Sequence, residues 1–346
     1  CIAEDSSACP QPRGVSVRMS VCPDPMTAMP RAANEEALRD LNFYLLDADG
    51  NVVLHRYQSS PTLRFECLPG NYLLRISANM GRDLGENPAS EDFTVTHADD
   101  YDTLPMAYEG EVSIPSSDET VTLPTVEVQR VVAKVTYNIS VAPDAGDIRL
   151  HSVQPVNLPA RMPVFDPGLR AAEYTAGEIV GSSSQTLTGT FYMLPNLQGE
   201  VPSIADQRDK GPANAPADAT FLRIRALRGS KVLDYYIYPG GNNTSNFDIR
   251  ANTHYRLDIM IRGDAEVDTR IRAYTVEVLC TPEAALSNGF LLERQPMRLT
   301  LRLGGAYEET GGEAFVELKT GDVRYFGFEG QWGAVARTME IRGPEN

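Results

Sequence analysis

Histidine most often moves protons or binds transition metals near neutral pH, and this chain has four: His55, His97, His151 and His254. No two are close neighbours in the sequence. His55 and His254 fall in alternating apolar stretches, where a sheet-face residue is the expected role. The GxSxG elbow, HExxH and GxxxxGK[ST] patterns are absent. The run Gly240-Gly241-Asn242-Asn243 lacks the following Lys-Ser or Lys-Thr of a phosphate cradle and predicts a turn. Asp47-Ala48-Asp49-Gly50-Asn51 alternates carboxylates as a calcium loop does, but Val52 and Val53 follow and no bidentate Glu arrives in register, so it too predicts a turn. With 47 Asp and Glu, a glycosidase pair about 5 to 9 Å apart is conceivable by chance, and counting identifies no such pair. No catalytic residue, metal site or cofactor is therefore expected.

The five cysteines, Cys1, Cys9, Cys22, Cys67 and Cys280, contain no CxxC pair and no His at metal-ligand spacing. Four of them, Cys9, Cys22, Cys67 and Cys280, allow three disulfide connectivities, or stay reduced. Cys1 stands apart as the first residue. A chain opening on Cys in place of Met has been processed or cut; the first case fits a bacterial lipoprotein, whose leading cysteine carries acyl chains, and the second an arbitrary boundary. Residues 1–13, polar and proline-bearing, would then be a tether.

The formal charge of -16 disfavours phosphate backbones, so nucleic acid is not an expected partner. The 24 prolines and 27 glycines, with few helix-period runs, predict short strands divided by turns. Residues 15–21 alternate apolar and polar, as a half-buried strand does. A hairpin is expected from Leu41–Leu46 and Val52–Tyr57 about the turn at 47–51, then strands through 62–67 and Tyr72–Ile76. Residues 96–125 read as an acidic loop. Strand patterns resume at VEVQRVVAKVTYNISV and recur to HYRLDIMIRG, broken by a long Pro- and Ala-rich loop over 199–220. Tyr235, Tyr236 and Tyr238 read as alternating strand faces, with a binding platform as the lesser alternative. Past Tyr274 come further strand patterns. The expected organisation is all-β: tether 1–13, β-sandwich 14–124, second sandwich 125–275, and a β-rich extension or small domain 276–346.

Several stretches together resemble the fimbrillin superfamily of Bacteroidales, the subunits of type V pili. These are the opening Cys1-Ile2-Ala3-Glu4-Asp5, LNFYLLDADGNVV, VQRVVAKVTYNI with SVQPVNLPA, FYMLPN, YYIYPGGNNTSNFDIRANTHYRLDIMIRG and VDTRIRAY. They fall in the family's order over most of residues 1–275, and the stretch from 276 departs from a plain two-domain subunit.

The resemblance implies tandem transthyretin-like β-sandwiches, a lipid on Cys1, anchorage at the outer membrane, and assembly with other pilus subunits by donor-strand exchange. Stalk subunits of that family lose a first strand to an arginine-directed protease after a longer leader. Here the first strand follows Cys1 closely, so the expectation is an anchor or accessory subunit at the cell surface, with Arg13 and Arg18 as cut sites if it is instead a stalk subunit. The carboxyl-terminal stretch would supply a donor strand or an adhesion module for a host or bacterial surface ligand. The alternative is a surface glycan-binding lipoprotein of a polysaccharide-uptake system, which would have to act through Trp332, Tyr325 and Phe326.

Overall fold

The computed structural model describes residues 13–24 and 35–263, apart from the single positions 99, 167, 183 and 230. It also describes residue 270 and the backbone of the strands within 271–282, 297–305, 314–319, 323–328 and 337–341. Nine strands build the first sandwich: β1 (Val15–Pro23), β2 (Leu41–Leu46), β3 (Val52–Gln58), β4 (Thr62–Cys67), β5 (Gly70–Ala78), β6 (Thr94–Thr96), β7 (Met106–Ile114), β8 (Val121–Thr122) and β9 (Val126–Arg130). Eight of them share one sheet, ordered β3-β2-β5-β7-β9-β1-β4 with β8 on β1. Five strand spacings separate β2 from β4, about 24 Å if the sheet were flat. Yet the rings of Phe43 on β2 and Phe65 on β4 meet at 5.1 Å, so the sheet curls over on itself and closes a core between its two halves.

The turn at 47–51 explains its own acidity. The Asp47 carboxylate accepts hydrogen bonds from the backbone N–H of Asp49 and Asn51 and from the Asn51 amide, and Gly50 takes the positive φ of 82° that the turn requires. These bonds, above all those from Asn51, hold the Asp47 carboxyl below its ordinary pKa.

Residues 96–125 are not the loop that their acidity suggests. They contain β7, nine residues paired along their whole length with β5. Glu109, Glu111 and Ser113 are its exposed face, while Met106 and Ile114 are buried and Tyr108, Gly110 and Val112 lie half-buried between them. The strand VEVQR, expected to open the second domain, pairs with β1 and β7 and so belongs to the first sheet.

Two residues, Val131 and Val132, separate β9 from β10 (Ala133–Val141). The second sandwich continues through β11 (Arg149–Val156), β12 (Leu158–Pro159), β13 (Arg161–Pro163), β14 (Tyr174–Thr175), β15 (Val180–Gly181), β16 (Thr186–Met193), β17 (Phe221–Arg228), β18 (Lys231–Ile237) and β19 (His254–Ile261). A three-stranded sheet, β16-β10-β19, packs on β15-β11-β17-β18, with Ile139, Ile224, Leu233 and Ile261 in the core between them. Gly189 is demanded by close approach: a Cβ there would sit 2.2 Å from the hydroxyl oxygen of Tyr137, its register partner, whose ring covers the glycine. The two sandwiches are joined by more than the linker. β13 pairs with β6, and Met162, Val164 and Leu194 enter the first core.

Beyond the second sandwich lie β20 (Ile271–Pro282), β21 (Met297–Gly305), β22 (Ala314–Lys319), β23 (Val323–Phe328) and β24 (Arg337–Ile341). β20 pairs with β18 through Ile271–Thr275 and with β21 through Tyr274–Pro282, and β24 follows β21, so these strands extend the second sandwich's larger sheet. β22 and β23 form a hairpin of their own.

Candidate functional site: the first strand and its clamp

β1 carries its apolar residues at every second position, and the fold uses all of them: Val15, Val17, Met19 and Val21 are buried, while Ser16 and Arg18 are exposed. Burying four such side chains stabilises the domain by about 6 to 12 kcal/mol, comparable to the net stability of a whole domain. Its backbone is held on both sides. β4 pairs antiparallel from Val15↔Cys67 to Ser20↔Thr62, and β8 and β9 pair parallel at 17–18 and 21–23. The first strand is thus an inner strand, and removing it would open a groove to the core.

Its far end is tied to the second sandwich. The Asp24 N–H donates to the carbonyl of Val128 at 2.8 Å. The Asp24 carboxylate accepts a 2.7 Å bond from Nδ2 of Asn252, and the Asp24 carbonyl accepts one of 2.9 Å from Nη1 of Arg130. Arg130 is 1% exposed and also donates to Oδ1 of Asn252 at 3.2 Å and, through Nε, to the carbonyl of Glu35 at 2.9 Å. Asn252 sits at φ 52°, a left-handed position that asparagine tolerates. The Glu35 side chain turns toward the second sandwich, where Oε1 takes bonds from Lys134 Nζ at 2.5 Å and from the Tyr192 hydroxyl at 2.6 Å. Burial pushes the Glu35 carboxyl up, but the bonds from Lys134 and Tyr192 and the nearby charges of Lys134 and Arg130 outweigh it and hold the pKa below 4.5. Burial and the Glu35 carboxylate push the Tyr192 phenol up.

The sequence-designated residues fall in different places. Arg13 is exposed just before β1, and a cut there leaves the strand seated. Arg18 is exposed but lies in mid-strand opposite Arg64, its carbonyl bonded to the N–H of Leu123, so cleavage there requires β1 to leave the sheet first. Cys1, Cys9 and Trp332 lie outside the described residues. Tyr325 and Phe326 are on β23, opposite Glu317 and Val316. Cys22 and Cys67 are unbridged. They mark opposite ends of β1, since Cys67 faces Val15, and seven residues of strand span about 23 Å.

Tyr235 and Tyr236 of β18, and Tyr238 just past its end, take alternating faces. Tyr235 enters the core, while Tyr236 and Tyr238 are covered by Ile204 and Ala219 of the long loop and by Phe247. That loop is packed down. Lys210 within it is 3% exposed, donates to the carbonyls of Asn242 and Asn246 at 2.8 and 2.7 Å, and stands 4.9 Å over the Phe247 ring. Burial lowers its pKa to about 8. The run at 240–246 is a turn, closed by Oδ1 of Asn242 accepting from the N–H groups of Thr244 and Asn246. His55 stacks on Tyr44 at 4.5 Å, and Nε2 of His254 meets the Thr136 hydroxyl at 2.9 Å. Among the described residues no group of three or more His, Cys, Asp and Glu is arranged to hold a metal ion, and no helix is long and apolar enough to cross a membrane.

Residues 191–259 match a family described as a domain of unknown function, DUF4906. No curated protein matches the sequence. Among solved structures, the tip fimbrial protein Mfa3 from Porphyromonas gingivalis, with a C-terminal truncation, is similar at 15% identity and a TM-score of 0.50, over 85% of this chain and 100% of that one. The fimbrilin FimA from Porphyromonas gingivalis W83 is similar at 13% identity and a TM-score of 0.50, over 75% of this chain and 95% of that one. The structural neighbours are thus fimbrial proteins of Bacteroidales, and this all-β chain shares their fold.

Proposed function

We propose that this chain is a structural subunit of a bacterial surface fimbrium, an anchor or accessory subunit that keeps its own first strand and joins its neighbours by donor-strand exchange, serving adhesion. The single observation that carries this reading is the clamp on β1. A cut at Arg13 leaves β1 whole and one at Arg18 leaves Asp24 and its bonds with the body, so what the clamp supports is a retained strand that passes load to the second sandwich through that bond. Nothing described brings reactive groups together in a cleft, and the fold neighbours are fimbrial proteins rather than enzymes. In this reading Cys1 carries the lipid that holds the chain at the outer membrane, two buried acyl chains or more being needed for stable anchorage. The partners are other pilus subunits, through the backbone pairing that an open sheet edge supports, and a ligand on a host or bacterial surface.

The test is extraction of the native protein from cells in mild detergent without boiling. The reading expects this chain in a ladder of strand-linked species that collapses to monomer on boiling, with residues 14–24 still attached and Cys1 acylated by mass spectrometry. Recovery as a monomer alone would sink the assembly role, and a chain that begins after Arg18 would make it a stalk subunit.

A further inference from the structure

Besides the outer edges of the end strands β3 and β4, strand pairing among the described residues leaves a long backbone edge open inside the first sheet. β7 pairs with β5 from Met106 to Ile114, but with β9 only at Met106 and Ala107. From Tyr108 to Ile114 its other edge meets no strand among the described residues, because β8 and β9 turn away to pair with β1. Seven residues is the length of an ordinary strand. Beside this edge runs a groove of about 650 Å³. Its floor is the core itself, Met19 and Leu74, and Tyr108, Val112 and Leu123 line its sides. Its charged groups are Glu109, Glu111 and Glu127, all exposed, while the one basic residue lining it, Arg130, is buried in the clamp. Glu109 is already bonded to Arg75, which leaves Glu111 and Glu127 as the free acids on its rim.

An open edge beside an apolar trough is half of a β-sheet interface, and the acids decide who completes it. An apolar strand without compensating charge would strand Glu111 and Glu127 beside it, whereas one bearing Lys or Arg between its apolar residues would pair them. We propose that this groove takes an extended segment of a partner protein, apolar at alternate positions with Lys or Arg between them, as an added strand on β7. The groove is distinct from the seat of β1 but takes Met19 of β1 into its floor, so the inference rests on the retention of β1 proposed above; tested on the full chain with β1 seated, a peptide that fails to bind overturns this inference and leaves that reading standing.

The nonapeptide MRLTLRLGG, identical in sequence to Met297–Gly305, has the required pattern and serves as the probe. Added in excess to the full chain, it slows amide hydrogen exchange of Tyr108–Ile114 about tenfold and leaves β1 unchanged. Glu111→Lys combined with Glu127→Lys weakens peptide binding about tenfold without moving the thermal midpoint, both side chains being exposed. Protection in β1, protection nowhere, or equal protection by a peptide with proline in place of both its threonine and the leucine that follows would overturn the proposal, since one of two adjacent N–H groups must face β7 and proline cannot supply it. Protection of the same amides without peptide, growing with protein concentration, would overturn the choice of partner and give the place to a second copy of this chain.

Discussion

Asp24 and Asn252, 228 positions apart in the chain, meet at 2.7 Å, so the end of the first strand is bonded to the loop before the last strand of the second sandwich's smaller sheet. Arg130 bridges the same pair. Load applied at the N-terminus therefore reaches the second sandwich without passing through the 131–132 linker alone.

That bond is measurable by a double-mutant cycle. Asn252→Gly keeps the left-handed backbone and removes the side chain, and Asp24→Ala removes the acceptor. Urea unfolding is expected to give a coupling of about 1 to 2 kcal/mol between them. A coupling near zero would show that the contact adds nothing.

The Glu35 carboxyl makes stability depend on acid. Its folded pKa lies below its ordinary value of 4.5, so between the two the unfolded chain binds more protons; the contribution is present above 4.5 and is lost as pH falls through the folded value. Glu35→Gln should lower stability at pH 7 by about 1 to 3 kcal/mol and flatten the decline below pH 4.5. Acid titration of both proteins by circular dichroism checks the difference, and parallel curves would refute it.

Lys210 acts at the other end of the scale. Its pKa falls from 10.5 to about 8 in the fold, so between these values the unfolded chain holds the extra proton and stability rises with pH, by up to about 3 kcal/mol. The native protein should gain stability relative to Lys210→Met from pH 8 to pH 10 in denaturant titrations. An unchanged gap would mean that the ammonium is not desolvated.

β1 was legible because strict alternation has no other physical use, and Val15, Val17, Met19 and Val21 announce it; β2, buried on both faces, was legible from the turn at 47–51 that follows its apolar run. β7 hid because Glu109, Gly110, Glu111 and Ser113 resemble a loop; Gly110 takes an inward register position that the Tyr108 ring occupies, as a Cβ there would lie 2.4 Å from the Tyr108 hydroxyl oxygen. The clamp joins residues of four remote segments and so leaves no periodic trace. One signal did exist. In VEVQR the alternation of Val126 and Val128 puts Arg130 on the buried face, and a buried arginine must find several acceptors.

The central claim is that the first strand stays in place while the subunit works. Arg18 and Arg64 are exposed and directly opposite on β1 and β4, so Arg18→Cys with Arg64→Cys, in a background lacking Cys22 and Cys67, places two thiols within disulfide reach. Oxidised on the cell surface, this variant should still appear in the detergent-resistant ladder at the native level. Disappearance of the ladder on oxidation, with recovery on adding reductant, would show that β1 must leave for assembly and would contradict the account.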